Sequence, residues 1–233
     1  MGSLFEAQRQ IFGRDSALTV FDVGAQLGDT TEEYLREMPR SRLFAFEPAP
    51  DNFETTRRRL APYAGRVELL KAGVSDQAGM ADLHLTSHNG SHSLLPLGDV
   101  RWFDSPIENT GRERIATVTI DGFCEERRID RIDILKMDIQ GGELRALKGA
   151  EKMLSRGAIR LIALEVLFKP LYQEQEQPTF WTLAEDLRGF GYALQGLYEA
   201  KHHDRAPAIL RWADAIFVSP QMASLAGDSA PAA

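Results

Sequence analysis

The sequence predicts one α/β domain built on an open, doubly wound, mostly parallel sheet with helices on both faces. Three observations lead there. Short apolar runs alternate with amphipathic segments along most of the chain, a rhythm that requires crossover helices between parallel strands. The length, 233 residues, lies in the range that α/β domains occupy undivided. With 43% hydrophobic and 26% charged residues, the composition allows a full core and excludes a disordered or collagen-like body.

Each element has its own signal. The run LTVFDVG at 18–24 is a buried strand entering a glycine turn, and 30–38 is a helix stopped by Pro39. A second strand covers 43–47, followed by a helix that Asp51 or Asn52 can cap and that reaches toward Tyr63. Residues 66–74 read as a third strand ending at Ser75-Asp76. From 79 to 111 the pattern loosens into a short alternating strand at 81–85, a polar stretch at 86–93, and then scattered Pro and Gly. This segment is expected to be mobile or substrate-facing, because long irregular stretches inside compact domains are usually functional or disordered.

Beyond it, 116–120 reads as extended and 122–128 as a short helix. The strongest unit is IDILKMD at 132–138, the glycine pair 141–142, and a helix from 143 to about 154. A further apolar run spans 159–168 and a helix spans 180–190. Two closing strands, 192–198 and 212–218, lack a clear helix between them and are expected to pair as an antiparallel hairpin. The organisation expected is a helical extension at 1–17, a domain at 18–220 with an insert at about 86–111, and a frayed tail at 221–233.

Charge and cysteine usage remove several classes. Lys+Arg 27 against Asp+Glu 34 gives 27 − 34 = −7, without the clustered cations that a nucleic-acid partner needs. An anionic ligand must therefore be held locally. Cys124 is the lone cysteine, so it has no intramolecular disulfide partner, and nothing near it lowers a thiol pKa. No signal-peptide pattern and no run of ~20 apolar residues is present, so a membrane span is not expected and the expected compartment is the cytoplasm.

Ligands of a doubly wound sheet collect outside the carboxyl ends of the strands. Strand one ends FDVGAQLGDT, where Gly24 and Gly28 let the backbone turn tightly and approach a ligand. A dinucleotide turn, GxGxxG, places a second glycine against the pyrophosphate. Gln26 stands there instead, which disfavours a nicotinamide dinucleotide and fits a nucleoside without phosphates. Glu47 ends the second strand 19 residues after Gly28, close to the spacing of about 20 expected for an acid that accepts ribose hydroxyls. Its alternative is a strand-end carboxylate paired with Arg42. Ser75 and Asp76 end the third strand and are candidates for an adenine amino group or for plain turn chemistry.

Asp138 ends the fourth parallel strand, as a catalytic carboxylate or as the cap of the helix beginning near Glu143. Glu165 sits in LIALEVLF, where an unpaired carboxylate is costly to bury, so a specific partner is expected. His92, with His88, lies in the polar insert as a candidate base or substrate contact. Their spacing resembles a metal pair, but Gly90 opposes the helix that would align them. Asp138 with Glu165 is an alternative holder of a divalent cation, though two carboxylates are too few to assert a metal. His202-His203 reads as surface.

FDVGAQLGDT, AFEPAPDNFETTRRRL, AGVSDQAGMADLHL, NGSHSLLP, VTIDGF, DILKMDIQGGELRALKGAEKML, LEVLFKPLY and DAIFVSP follow one another from about residue 18 to 219. In that order they resemble the FkbM family of S-adenosylmethionine-dependent methyltransferases. The resemblance implies a class I methyltransferase fold, a seven-stranded sheet with its last strand antiparallel, and methyl transfer usually to a hydroxyl oxygen. It implies that the turn holding Asp22, Gly24, Ala25, Gln26, Gly28 and Thr30 wraps the methionine part. Glu47, with Pro48 beside it, would hold the ribose, and Asp138 would lie near the sulfonium. Two positions depart from the family pattern, Gln26 for an Asn and Gln140 for a Glu. The expected acceptor is a sugar, glycan or polyhydroxylated natural product. The alternative is a non-catalytic nucleoside-binding regulatory or scaffold protein of the same fold, against which Asp138, Glu165 and His92 argue.

Overall fold

The computed structural model describes residues 3–98, 101–102, 105–168, 177–203 and 206–224. Helix α1 (Leu4–Phe12) leads into β1 (Thr19–Val23), α2 (Asp29–Glu37), β2 (Arg42–Phe46), α3 (Pro50–Leu60) and β3 (Val67–Leu70). The middle of the chain forms β4 (Gly73–Val74), β5 (Gly79–Thr86), the short pair β6 (Arg101–Trp102) and β7 (Ser105–Pro106), and β8 (Asn109–Val118). Next come α4 (Ile120–Arg127), β9 (Ile132–Met137), α5 (Glu143–Lys148), α6 (Glu151–Ser155) and β10 (Ile159–Leu167). Helix α7 (Phe180–Gly189), β11 (Ala193–His203), β12 (Ala206–Val218) and α8 (Pro220–Ser224) complete the described chain.

Seven strands join in the order β11-β12-β10-β9-β1-β2-β3. The pairings from β10 through β3 are parallel, and β12 is antiparallel to both of its neighbours. The chain order reverses between β1 and β9, so the crossover helices there leave on opposite faces and open a crevice at the carboxyl ends of the strands.

The central strands are buried on both faces, which is why they read as continuous apolar runs. On one face Phe21, Phe44 and Phe46 pack around Phe123 of α4 at centroid distances of 5.2–5.7 Å. On the other, Val20, Ile134 and Leu161 meet Tyr34 and Leu35 of α2, and α1 adds Leu4 and Ala7. Phe5 packs on the Tyr34 ring at 4.6 Å.

Several expectations are corrected. The third strand breaks at Lys71-Ala72: β3 stays in the main sheet, while β4 joins a second sheet of order β4-β8-β5. Strand β5 alternates half-buried and exposed positions and pairs antiparallel with β8, so part of the segment read as irregular is regular. Residues 99–100 and 103–104 of that insert, and 225–233 of the tail, lie outside the described residues. The helix from Glu143 is interrupted at Gly149-Ala150, where a Cβ on Gly149 would lie 2.2 Å from the Ser75 carbonyl oxygen. Helix α3 starts on Ala49 with Pro50 in its first turn and no side-chain cap, so neither Asp51 nor Asn52 caps it.

Candidate functional site

A cavity of about 640 Å³, open on one side, lies beyond the carboxyl ends of β1, β2 and β9. Its position follows from the sheet order. Gly24 turns the chain at its base with φ 87°, and a Cβ there would stand 2.0 Å from the Asp138 carbonyl oxygen. Only glycine fits that contact between the two loops. The Gly24 and Ala25 amides both donate to the Phe46 carbonyl at 3.0 Å, which fastens the turn to β2.

Glu47 is 5% exposed at the bottom of this cavity. Its Oε2 accepts from the Gln26 amide at 2.8 Å and its Oε1 from the Ala49 amide at 2.9 Å. Burial pushes its carboxyl up to about 7, against the pull of those two amides. No ion pair to Arg42 forms, since that guanidinium lies 4.7 Å over the Phe44 ring. Gln26 adopts φ 51°, and its carbonyl accepts from Thr56 Oγ1 at 2.5 Å.

The floor is charged. Asp22 and Lys136 are register partners on β1 and β9, and Lys136 Nζ lies 3.3 Å from Asp22 Oδ1, 3.4 Å from the Gly24 carbonyl and 4.0 Å from Asp138 Oδ2. Burial alone would depress the Lys136 ammonium, but Asp22 and Asp138 outweigh it and hold its pKa above the ordinary lysine value. Thr31 Oγ1 donates to Asp22 Oδ2 at 2.5 Å. Gln140 donates Nε2 to Asp138 Oδ1 at 2.7 Å and to Glu165 Oε2 at 3.1 Å, bridging the two carboxylates. Asp214 on β12 is the register partner of Glu165. Burial, then the Asp138 charge, raises Glu165 well above a normal carboxyl and pushes Asp214 up to about 7.

The same bridge bears on the metal alternative. A cation shared by Asp138 and Glu165 requires lone pairs directed at one point. Gln140 puts an N–H donor there, and among the described residues no three His, Cys, Asp or Glu side chains converge as a metal site. The pair as arranged does not fit a shared cation. Asp138 also does not cap α5, which begins on Gly142 without a side-chain cap.

The roof is neutral and hydrogen-bonded. Asn52 donates to the Asn89 carbonyl at 3.1 Å, and Gln26 Nε2 donates to Asn89 Oδ1 at 3.3 Å. Thr86 Oγ1 donates to the His88 carbonyl, and the Thr86 amide donates to His92 Nδ1 at 3.1 Å. Ser93 Oγ donates to the Gln140 carbonyl at 2.7 Å while accepting from the Leu95 amide. The stretch expected to be mobile or substrate-facing lines the cavity and is tied to α3, the first loop, β5 and the loop after β9 by these bonds.

Residues 22–194 match the family described as the methyltransferase FkbM domain. The chain belongs to the FkbM family. It is 28% identical over 169 residues to the 2-O-methyltransferase NoeI of Sinorhizobium fredii, covering 67% of this chain and 66% of that protein. It is 32% identical over 155 residues to the 31-O-demethyl-FK506 methyltransferase FkbM of Streptomyces tacrolimicus, covering 57% and 59%. The chain thus matches less than two thirds of the length of these curated relatives. The crystal structure of methyltransferase FkbM from Methylobacillus flagellatus superposes with a TM-score of 0.55 at 20% identity, over 87% of this chain and 43% of that one. This last likeness concerns the fold, a class I methyltransferase sheet.

Within this FkbM domain, Gly24, Gln26, Glu47, Pro48, His92 and Asp138 line the cavity. Other candidates stand elsewhere. Asp22 lies under the floor as the Lys136 partner, and Ala25 is buried against β2. Gly28 begins α2 with φ 83°, close to Thr56. Thr30 occupies the first turn of α2, and it is Thr31 that reaches Asp22. Ser75 Oγ donates to Asp76 Oδ1 at 2.9 Å, and both line a separate groove with Arg145. They do not line this cavity, because the chain leaves the main sheet before reaching them, and Gly73, Val74 and Leu83 line it there. Glu165 stands behind Gln140 rather than on the wall.

Lys136 and Asp214 escaped the sequence reading, although each is a charge flanked by apolar residues in its strand, the signal that singled out Glu165. Asn52 and Asn89 carry no comparable signal. Cys124 is buried, and burial pushes its thiol up to about 12, which leaves it an inert core side chain. No helix among the described residues is long and apolar enough to cross a membrane.

Proposed function

We propose that this chain transfers a methyl group from S-adenosylmethionine to a hydroxyl oxygen of a sugar, glycan or polyhydroxylated natural product. The observation that carries this reading is the cavity at the switch point of an FkbM-family sheet. There the tight Gly24 turn and the buried Glu47 face the Asp138 and Gln140 loop. Its wall combines apolar side chains such as Val23, Phe46 and Leu83 with the polar groups of Glu47, Asn52 and Asp138, the mixed lining that a nucleoside requires. Each Glu47 oxygen accepts one backbone N–H, the Asn52 side chain is a third donor, and the carboxylate keeps lone-pair capacity for a ribose hydroxyl. The residues present fit the cofactor.

When bound, S-adenosylmethionine supplies an electrophilic methyl on a sulfonium. The chain's own contribution is to hold two reactants in line and to take the acceptor's proton. Asp138, on the cavity wall, is placed to take that proton, and Glu165, raised above the ordinary carboxyl range behind Gln140, bears on Asp138 through that bridge. Asp138 also orients the acceptor hydroxyl. Oxygen acceptors are supported by the names of the two curated relatives above, both of which denote O-methylation.

Calorimetry with S-adenosylhomocysteine and NAD, followed by mass spectrometry of polyhydroxylated acceptors incubated with methyl-labelled cofactor, tests the reading. Binding of S-adenosylhomocysteine without NAD binding, and label gained by an acceptor hydroxyl, is the expected result. Tighter binding of NAD would overturn it, and cofactor binding with no transfer to any acceptor would leave a nucleoside-binding module.

A further inference from the structure

His92 lines the cavity, and its ring is held by one protein hydrogen bond, from the Thr86 amide to Nδ1 at 3.1 Å. A backbone amide is always a donor, so Nδ1 must offer its lone pair. In the neutral ring the proton then sits on Nε2. Among the described residues Nε2 has no protein partner, and with Nδ1 turned to Thr86 the opposite edge of the ring is the one available to the cavity. Moving the proton to Nδ1 would set two N–H groups against each other and break the bond that closes the loop from Thr86 to His92.

The geometry points to His92 as a hydrogen-bond donor, through Nε2–H, to an oxygen or nitrogen lone pair of the cofactor bound in this cavity, and not as the base of the reaction. This inference rests on the methyl-transfer reading for the identity of the ligand. Burial, then the neighbouring His88, holds the ring below the ordinary histidine pKa, with Asp51 opposing, which agrees with a neutral ring at pH 7. The role of proton acceptor then falls to the carboxylates of the floor.

Two measurements on the full chain test this. Long-range ¹⁵N–¹H correlation spectra of the labelled protein at pH 7.5, assigned with His92→Gln, should show the Nε2–H tautomer for His92. Calorimetry with S-adenosylhomocysteine should show His92→Ala weakened roughly tenfold, the scale of one hydrogen bond. His92→Gln, whose side-chain amide offers an N–H at a similar reach, should recover most of that affinity. An Nδ1–H tautomer overturns the inference, and so does equal loss in the Gln and Ala variants or no loss in Ala. Failure of the wild-type chain to bind S-adenosylhomocysteine would instead break the methyl-transfer reading, and the spectra would still decide the tautomer.

Discussion

Beneath the cavity, Asp22, Lys136, Asp138, Glu165 and Asp214 hang from four neighbouring strands or their ends, and their mutual positions are set by sheet register. Above it, residues 86–95 form a cover from Ser, Thr, Asn and His hydrogen bonds, three of which tie the segment to α3, the first loop and the loop after β9. The floor sets charges side by side, where Asp22 and Asp138 hold the Lys136 ammonium and the Asp138 charge raises Glu165 and Asp214. The roof spreads its bonds over neutral groups, each of modest net worth and nearly independent of the next. A substitution in the floor is therefore expected to act on chemistry and folding together, and one in the roof to act locally.

The largest effect should come from the floor carboxylates. Asp138→Asn is expected to keep the fold and cofactor affinity while slowing methyl transfer by roughly 10²–10⁴-fold, the range for a positioned acid–base group. A rate within about threefold of wild type would move the proton acceptor elsewhere. Glu165→Gln should also lower the rate and spare S-adenosylhomocysteine binding.

Stability tests the same contrast. Lys136→Met leaves Asp22 buried without its cation and should cost about 3–5 kcal/mol in urea unfolding. Adding Asp22→Asn should restore much of that loss, because the two positions are in contact. Additive effects would show that the floor is not a coupled unit.

Glu47 should show an intermediate effect. Glu47→Ala is expected to weaken S-adenosylhomocysteine binding by about 1.5–3 kcal/mol, the scale of hydrogen bonds to a charged group. The ionised form accepts a ribose hydroxyl, and in the free chain half of it forms only near pH 7. Affinity should therefore rise between pH 6 and 8 in wild type, and more weakly in Glu47→Gln. Equal slopes in calorimetry at several pH values would remove Glu47 as the titrating group.

The smallest effect belongs to the roof. Asn52→Ala loses one bond to the Asn89 carbonyl and should cost about 0.5–1.5 kcal/mol. Hydrogen exchange should quicken in 86–93 and stay unchanged in β9. Spread of the change into the central sheet would mean that roof and floor are coupled after all.

The same contrast explains what could be read from the sequence. Strands such as IDILKM, buried on both faces, stand out as apolar runs, and their bounds fall within a residue or two of the structure. The place of Glu47 on the cavity wall was legible because its spacing from the glycine turn is fixed by one helix and one strand. The β4-β8-β5 sheet was not, since Gly79 pairs with the distant Thr117 and β5 has weak alternation. Nor was the link of Glu165 to Asp214, which depends on the register of two strands far apart in the chain. That the segment 86–93 faces a cavity was legible from its polar, irregular composition, but its hydrogen bonds to Asn52, Gln26 and Gln140 were not, since polar residues bonded to protein look the same in sequence as polar residues bonded to water.

The place of β12 in the sheet bears on how the protein is made. This strand is among the last described residues to be synthesised, yet it fits between β10 and β11 and brings Asp214 beside Glu165. While residues 206–218 are still inside the ribosome, β10 is an open edge whose unpaired amides and apolar side chains invite pairing with other nascent chains. The charged floor and the protection of that edge are thus completed in one late event. A polypeptide released before that strand emerges would lack both.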